Sequence, residues 1–406
     1  MSNYMFESHA KKITRGIGFL RTDDRGKVLL AVSIGWFLSI GVRLVYPVIL
    51  PQLRVTYDLD LATAGLLITV LWWAYAIGQA PAGILGDRFG ERIMLSASTI
   101  VSAIMLLLVV LAPWPSVLFG MTALFGFATA LFGIARYTVI SKLFSDRDGT
   151  AMGITLAAGS IGNIVLPVAA GAIAAVTAWQ FGLGFTIPFF FLVGVYLWWV
   201  VPSDLAGNGS GTLSKTTVQS IATEFRKPTV VLVTALLLLE FGIWQAFSGM
   251  YPTYLVEIKG VQASTAAILF GFYFAIGAVI QPIAGTAYDR IGIKRAMPAF
   301  LLPTVIGLIA LPFTEGFVQI VIVTVFTGCM MANIAIAMPY LTSVLHEDVQ
   351  GAGLGIIRTG YMMFGATSPL LFGVFADLGY FDHGFWVLAG MGIVMILIVS
   401  RLPDVP

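Results

Sequence analysis

The sequence predicts an all-α membrane protein of twelve transmembrane helices arranged as two pseudo-symmetric six-helix bundles. Three observations lead to this prediction. Of the 406 residues, 58% are hydrophobic and only 10% are charged, whereas a soluble domain carries roughly 25% charged residues. The apolar residues gather in long runs, and one short block of residues occurs twice. A chain with so little polar surface needs lipid around it.

Each apolar run is long enough for a helix to cross a bilayer, which takes about 20 residues. Only a helix pairs all of its backbone polar groups within one lipid-exposed segment, and the runs are too long and too uniformly apolar for barrel strands. The predicted spans are 28–50, 62–84, 93–113, 116–141, 151–176, 181–202, 229–251, 264–287, 295–313, 316–344, 353–376 and 384–400.

The basic residues of the predicted loops indicate the orientation. Seventeen Lys and Arg residues fall in the two termini and in the loops of one side, whereas only Arg54 and Lys259 fall on the other side. Basic loops stay in the cytoplasm during insertion. We therefore expect a multi-pass protein of the plasma membrane with both termini cytoplasmic. The polar N-terminal tail lacks the short apolar run and cleavage site of a secretory signal.

A polar stretch without a span divides the chain into two halves. We predict an N-terminal six-helix bundle with a cytoplasmic tail in residues 1–201, a cytoplasmic linker in 202–228, and a C-terminal six-helix bundle in 229–406. The linker is rich in Gly, Ser and Asn, which is typical of a flexible chain. Its glycosylation sequon at Asn208 is attributed to chance, because the loop is expected in the cytoplasm.

A block of ten residues occurs at two places that lie 202 residues apart. Six of the fourteen residues from 79 to 92 are identical at this offset, whereas about one is expected by chance, so the chain reads as two copies of one unit. Parallel repeats of membrane helices place a binding site at the interface between the halves. The copies read Gly83-Ile-Leu-Gly-Asp87-Arg88-Phe-Gly90-Glu-Arg92 and Gly285-Thr-Ala-Tyr-Asp289-Arg290-Ile-Gly292-Ile-Lys294.

The repeated block resembles the signature of the major facilitator superfamily, in which it joins the second helix to the third and the eighth to the ninth. The resemblance covers the whole chain, since both copies fall at those loops and a central loop separates six spans from six. It implies transport by alternating access. It also implies that Asp87 and Asp289 meet the positive end of a helix from the other half and latch the outward-facing state.

The other residues of the block have structural reasons as well. Gly83 and Gly285 are expected to let a neighbouring helix approach closely. Gly90 and Gly292 are expected to permit a tight turn between two antiparallel helices. The basic residues would anchor the loops to the cytoplasmic leaflet. They are Arg88, Arg92, Arg290 and Lys294.

A weaker resemblance concerns the fifth predicted span. Some exporters of the superfamily carry a glycine- and proline-rich pattern there, and this chain has Gly153, Gly162, Pro167 and Gly171 at the matching positions. Two other glycines of the pattern are replaced, by Leu166 and Ala170. The pattern predicts a kinked helix packed through small residues, and it favours an antiport mechanism.

Four charged residues lie inside the predicted spans: Arg43, Arg136, Glu240 and Arg358. Each costs about 2.5–3.5 kcal/mol near the middle of a bilayer, and such residues face the bundle interior and are functional by default. The resemblance implies that spans one, four, seven and ten line the cavity, and three of the four charges lie on these spans. The predicted substrate-binding residues are Arg43, Tyr46, Arg136, Trp244, Gln245, Asn333 and Tyr340.

The charged residues inside the spans have alternative interpretations. Arg43 binds an anionic group of the solute or forms a structural ion pair with Glu240. Arg136 contributes to the site or reaches the cytoplasm along its span, and Arg358 belongs to a lid or an interface. Glu240 is the predicted proton-coupling residue, or it stays ionised beside an arginine. Tryptophans such as Trp72 are predicted to serve packing alone.

These residues predict a secondary active transporter that moves a small solute, an organic anion coupled to protons. A proton-coupled exporter of amphipathic compounds is the alternative, and a non-transporting membrane sensor is the alternative from another class. The chain has no phosphate-binding glycine loop and no metal-ligand spacing, so we expect no enzyme activity and no cofactor. Carriers of nitrate in the superfamily bear arginines within helices two and eight, which these spans lack. We expect a monomer that meets solute, protons and lipid but no nucleic acid.

Overall fold

The computed structural model describes residues 24–145, 147–203, 224–346 and 350–403. Within these ranges every regular element is a helix. The predicted cytoplasmic tail before residue 24 and most of the predicted linker, including Asn208, lie outside the described residues. The predicted domain boundaries therefore stay predictions.

The chain contains sixteen α-helices in its described part, eight in each half. Those of the first half are α1 (Asp24–Arg43), α2 (Val45–Tyr57), α3 (Leu61–Phe89), α4 (Glu91–Val110), α5 (Pro115–Leu143), α6 (Asp148–Val176), α7 (Trp179–Gly184) and α8 (Ile187–Val200). Those of the second half are α9 (Pro228–Glu257), α10 (Ala263–Ile291), α11 (Ile293–Ala310), α12 (Phe317–Gly328), α13 (Ala332–Val344), α14 (Gln350–Gly365), α15 (Ser368–Asp377) and α16 (Phe381–Arg401).

Eleven helical segments of the described chain are long and apolar enough to cross a membrane. The all-helical prediction is confirmed, and the count of twelve spans is supported approximately. The exception is the predicted span 353–376, which is divided between α14 and α15.

Prolines account for this break and for two others. A proline has no N–H to bond the carbonyl four residues earlier, so a helix tends to end there. The division is tolerated in a bilayer only where neighbouring helices cover the freed groups. Three helices end four residues before a proline: α1 ends at Arg43 before Pro47, α7 at Gly184 before Pro188, and α14 at Gly365 before Pro369.

The predicted tight turns after α3 and α10 are present. Gly90 and Gly292 have φ angles of 78° and 70°, in the left-handed region that only glycine adopts without strain. Each N–H still bonds the preceding helix, from Gly90 to the Gly86 carbonyl at 2.8 Å and from Gly292 to the Tyr288 carbonyl at 2.9 Å. The next helix begins at the following residue in both halves.

Helix α6 packs through its glycines. A Cβ atom placed on Gly162 would lie 2.3 Å from the carbonyl oxygen of Phe37 in α1. A Cβ on Gly171 would lie 2.3 Å from the Cβ of Ala267 in α10, and one on Gly271 of α10 would lie 2.4 Å from a methyl group of Val168. The two halves thus touch at α6 and α10 almost backbone to backbone, as small residues allow in membranes.

The end of the bundle opposite the repeated block is closed by polar contacts between the halves. The carboxylate of Asp377, at the end of α15, accepts hydrogen bonds from the backbone N–H groups of Leu61 at 2.9 Å and Ala62 at 2.7 Å. These groups form the positive N-terminal end of α3, where an anion is favoured. Arg54 and Glu257 form an ion pair between α2 and α9 at the same end.

The repeated block itself is free of the close contacts that the sequence predicted. No heavy atom lies within 4 Å of a Cβ placed on Gly83 or Gly285, so the predicted close approach of a neighbouring helix is wrong for this conformation. Asp87 and Asp289 are exposed, and neither has a hydrogen-bond or ion-pair partner among the described residues. The reason is that the halves are held together at the other end.

The glycine packing of α6 makes a prediction about stability. Gly162→Ala should destabilise the fold by about 1–3 kcal/mol, because the added methyl group meets a backbone atom that cannot move aside. Melting temperature in detergent measures this effect. Gly153→Ala is the matched control, since nothing lies within 4 Å of a Cβ there. A control that melts as low as Gly162→Ala would contradict the explanation by local crowding.

The Asp377 contact makes a prediction about conformation. Asp377→Asn should weaken the closed end by about 1 kcal/mol, because it removes a charge from the end of α3. A cysteine in place of Met250, which is fully buried at the closed end, should then react several times faster with an impermeant maleimide in a Cys329→Ala background. Asp58→Asn, at an exposed residue of the same end, should leave labelling unchanged. Equal labelling in both variants would show that Asp377 does not hold this end closed.

Candidate functional site

A cavity of about 260 Å³ lies between the halves. Spans from both halves contribute to its walls, as expected for a site at a repeat interface. Its lining is mainly aromatic and aliphatic, with a few charged and amide side chains. The lining residues are Trp36, Ile40, Arg43, Trp72, Tyr75, Asn163, Glu240, Phe241, Trp244, Phe274, Gln281, Met331, Ile334, Arg358, Tyr361 and Met362.

Arg43 is the last residue of α1 and is only 1% exposed. Its Nε donates a hydrogen bond to the Ser39 carbonyl at 3.0 Å. The guanidinium carbon lies 3.7 Å from the centroid of the Tyr75 ring and 4.9 Å from that of Trp72, distances at which aromatic rings stabilise a cation. Both Nη atoms are buried and have no hydrogen-bond partner among the described residues. The donors of both Nη atoms are therefore unused in this conformation, in which neither atom is accessible to solvent.

Arg136 lies beside this cluster on α5. It is 1% exposed, so the alternative that it reaches out to water along its span is wrong. Aromatic rings hold it in the interior, since its guanidinium carbon is 3.6 Å from the centroid of Trp36 and 4.1 Å from that of Tyr137. Gly159 of α6 leaves room for the indole, because a Cβ there would lie 2.3 Å from the Trp36 nitrogen.

Arg358 of α14 completes a group of three basic side chains. It lines the cavity and lies beside Tyr137 and Tyr361. Arg43, Arg136 and Arg358 are all within electrostatic range of one another. The sequence favoured a lid or interface pairing for Arg358, and the structure brings it into the cavity wall.

Glu240 lines the same cavity from α9 and is 5% exposed. Its Oε2 accepts a hydrogen bond from Nδ2 of Asn333 at 2.9 Å. None of the ion pairs between described residues joins it to Arg43, so the structure does not show the alternative of a structural pair. The carboxylate is buried with an amide rather than a cation as its partner.

The other predicted binding residues are divided. Trp244 lines the cavity, and its indole nitrogen is buried without a hydrogen-bond partner in the described chain. Tyr46, Gln245 and Tyr340 are buried but are not among the lining residues. The two tyrosines bond elsewhere: the Tyr46 hydroxyl accepts a hydrogen bond from Thr122 at 3.3 Å, and the Tyr340 hydroxyl donates to the Pro403 carbonyl at 2.8 Å. The amide nitrogen of Gln245 is buried without a hydrogen-bond partner among the described residues.

Several lining residues were missed by the sequence analysis. The prediction that Trp72 serves packing alone is wrong, since it lines the cavity and its ring lies against the Arg43 guanidinium. Tyr75 stands three residues further along α3, so both rings share one helix face. Gln281 was available as a signal because it is the repeat partner of Gln79. Asn163 had no comparable signal.

Comparison with known proteins gives one family. A sequence model described as the Major Facilitator Superfamily matches residues 32–338 and 238–406. The chain is 21% identical to the hexuronate transporter of Bacillus subtilis, with 93% of this chain and 94% of that protein covered. It is 25% identical to a protein of Thermus thermophilus named "Probable nitrate/nitrite antiporter NarK1", with 68% and 63% of the two chains covered.

The fold is also similar to that of a solved structure. A bacterial homologue of the human lysosomal transporter Spinster, in an inward-facing and occupied conformation, superposes with a TM-score of 0.78. The alignment covers 93% of this chain and 97% of that one at 16% sequence identity. At this level of identity the likeness concerns the arrangement of helices.

Proposed function

The chain belongs to the major facilitator superfamily, and from this premise we propose that it carries a small organic anion across the plasma membrane together with protons. It is a multi-pass membrane transporter of this family. The observation that carries the proposal is the Arg43 guanidinium, because Arg43 lines the cavity and both of its Nη atoms are buried without a hydrogen-bond partner among the described residues.

The charge balance of the site supports an anionic solute. Arg43, Arg136 and Arg358 lie within electrostatic range of one another, and no described ion pair compensates any of them. Like charges in a medium of low dielectric repel strongly. A bound anion would offset this repulsion, and a carboxylate matches the geometry of a guanidinium through two parallel hydrogen bonds.

Glu240 supports coupling to protons. A buried carboxylate without a cation costs free energy, and taking up a proton removes that cost. The hydrogen bond from Asn333 at 2.9 Å holds the group at the cavity wall, where it meets whichever side is open. We infer that Glu240 binds a proton when the cavity faces one side and releases it when the cavity faces the other.

The alternating contacts of α3 support a rocking motion of the two halves. In the described conformation Asp377 binds the first turn of α3, while Asp87 near its last turn is exposed. The proposed orientation places the repeated block and both termini in the cytoplasm. The described state is then inward-facing, and the outward-facing state would exchange the Asp377 contact for contacts of Asp87 and Asp289.

The named relatives support an anion without fixing which one. One is named for hexuronate and another for nitrate and nitrite. Spans α3 and α10 contain no arginine before Arg88 and Arg290, so the arginines that the family uses for nitrate are missing from these spans. A carboxylate therefore fits the site better than nitrate does.

A second candidate is proton-coupled export of amphipathic compounds. The aromatic residues and the two methionines of the lining, Met331 and Met362, favour it, because methionine adapts to varied apolar ligands. The three arginines weigh against cationic compounds.

The proposed transport can be measured in proteoliposomes that contain a pH-sensitive dye. A pH gradient, alkaline inside, should drive accumulation of an impermeant carboxylate such as glucuronate and acidify the lumen beyond the rate in protein-free vesicles. Arg43→Gln should reduce this uptake at least about tenfold, because the loss of a charge-assisted hydrogen-bond pair costs 1.5 kcal/mol or more. Arg25→Gln, an exposed substitution on the same helix, should transport as the unaltered protein does.

Two outcomes would contradict this proposal. Uptake that is equal in Arg43→Gln and Arg25→Gln would remove Arg43 from the site. Absence of flux for every carboxylate and every amphipathic compound tested, with binding retained, would indicate the non-transporting sensor instead.

Proton coupling has its own variant. Glu240→Gln keeps a polar group that can bond Asn333 but binds no proton, so accumulation driven by the pH gradient should be lost while exchange of solute for solute continues. Glu315→Gln, at an exposed residue, is the matched control and should remain coupled. If Glu240→Gln accumulates solute as fully as the control, Glu240 is not the coupling residue.

A further inference from the structure

The cavity has an unusually aromatic wall for a site that carries two arginines. Seven of its sixteen lining residues are aromatic, and four more are isoleucine or methionine. The amides that face it are Asn163 and Gln281. Such a lining combines many flat apolar faces with a smaller number of charged and amide groups. A solute that fills it must bury apolar surface.

Aromatic residues of the two halves contact one another at the interface between the halves. Trp72 of α3 lies edge-on to Trp244 of α9, with centroids 5.5 Å apart and an interplanar angle of 82°. Phe241 lies 5.3 Å from Trp244 and 5.4 Å from Tyr361. The edge-to-face contact of the two tryptophans is specific in geometry. Trp72, Phe241 and Trp244 contact one another, so they form one continuous aromatic wall of the cavity.

Arg43, the proposed anion-binding residue, adjoins this aromatic wall. Trp72 contacts the Arg43 guanidinium with one part of its ring, at 4.9 Å from the centroid, and contacts Trp244 with another. The unpartnered Nη1 and Nη2 of Arg43 and the unpartnered indole nitrogen of Trp244 belong to residues of the same cavity wall. A ligand bound to both halves at once would therefore have an acidic end and a flat apolar body.

We propose that the cavity selects a planar aromatic monocarboxylate, whose carboxylate binds Arg43 and whose ring lies against the wall formed by Trp72, Phe241 and Trp244. The selection rests on the proposed anion transport and narrows its substrate class. A sugar acid of the same charge would bring hydroxyls against the aromatic rings, and each hydroxyl that loses water there without gaining a partner costs free energy. Trp244 is the specificity-determining residue, because it belongs to the second half and contributes an aromatic ring to the cavity wall.

The inference can be tested by calorimetric titration of the purified full-length protein with four probes. Benzoate is the planar acid, cyclohexanecarboxylate is its non-planar match, benzamide is its uncharged match, and glucuronate is the polyhydroxylated acid. Benzoate should bind about fivefold more tightly than cyclohexanecarboxylate, as an added aromatic contact predicts. Benzamide should bind at least about tenfold more weakly than benzoate because it does not pair with Arg43.

Two variants show whether the preference for benzoate comes from the aromatic wall or from a general effect on folding. In Trp244→Leu the preference for benzoate over cyclohexanecarboxylate should disappear while glucuronate binding stays within about twofold, since the change removes a ring but no charge. Trp199→Leu, at a tryptophan that is 79% exposed, should keep the preference. Matching melting temperatures would show that both variants are folded.

The outcomes distinguish this inference from the function on which it rests. If glucuronate binds more tightly than benzoate, the aromatic selection is wrong and the transport of organic anions stands. If benzamide binds as tightly as benzoate and no carboxylate is preferred, the anion site fails and the selection fails with it. If Trp244→Leu retains the full preference, Trp244 does not determine specificity.

Discussion

Uncompensated positive charge inside the bundle is the constraint on which the rest of the structure depends. Arg43, Arg136 and Arg358 are held within electrostatic range of one another, and none of them has an acidic partner among the described ion pairs. Aromatic rings take the place of counter-ions, and the closest ones lie 3.6 Å and 3.7 Å from the guanidinium carbons. Rings stabilise a cation without neutralising it. The cavity therefore keeps a positive charge that a salt bridge would have neutralised, and the proposed anion binding depends on this charge.

Placing this charge in a bilayer requires an arrangement of backbone that the helices supply. Pro47 ends α1 at Arg43, so the side chain leaves the helix at a break whose freed carbonyls favour a cation. Gly159 makes space for Trp36, and Trp36 in turn supports Arg136. Pro47 and Gly159 thus act through their shape alone, because they set the positions of the basic and aromatic side chains around the cavity.

The fold and the site could be predicted from the sequence to different depths. Apolar runs and the duplicated block were sufficient for the helices, because length and repetition are local properties of a chain. Arg43 and Glu240 could be found because charge inside an apolar run is conspicuous. Trp72 could not be distinguished from a packing residue, since an aromatic side chain looks the same in a run whether it faces lipid, a neighbouring helix or a cavity. The division of the span 353–376 was missed because other prolines here, such as Pro81 and Pro167, lie within unbroken helices.

The contact between α6 and α10 has a mechanical consequence. The side chain of Ala267 lies over Gly171, and a methyl group of Val168 lies over Gly271, so only small side chains separate the two helices at this interface. Small side chains at the contact would let α6 and α10 move past each other while they keep van der Waals contact. A single larger residue at this contact on either helix would block that movement. Such a variant would hold the carrier in one conformation for structural work.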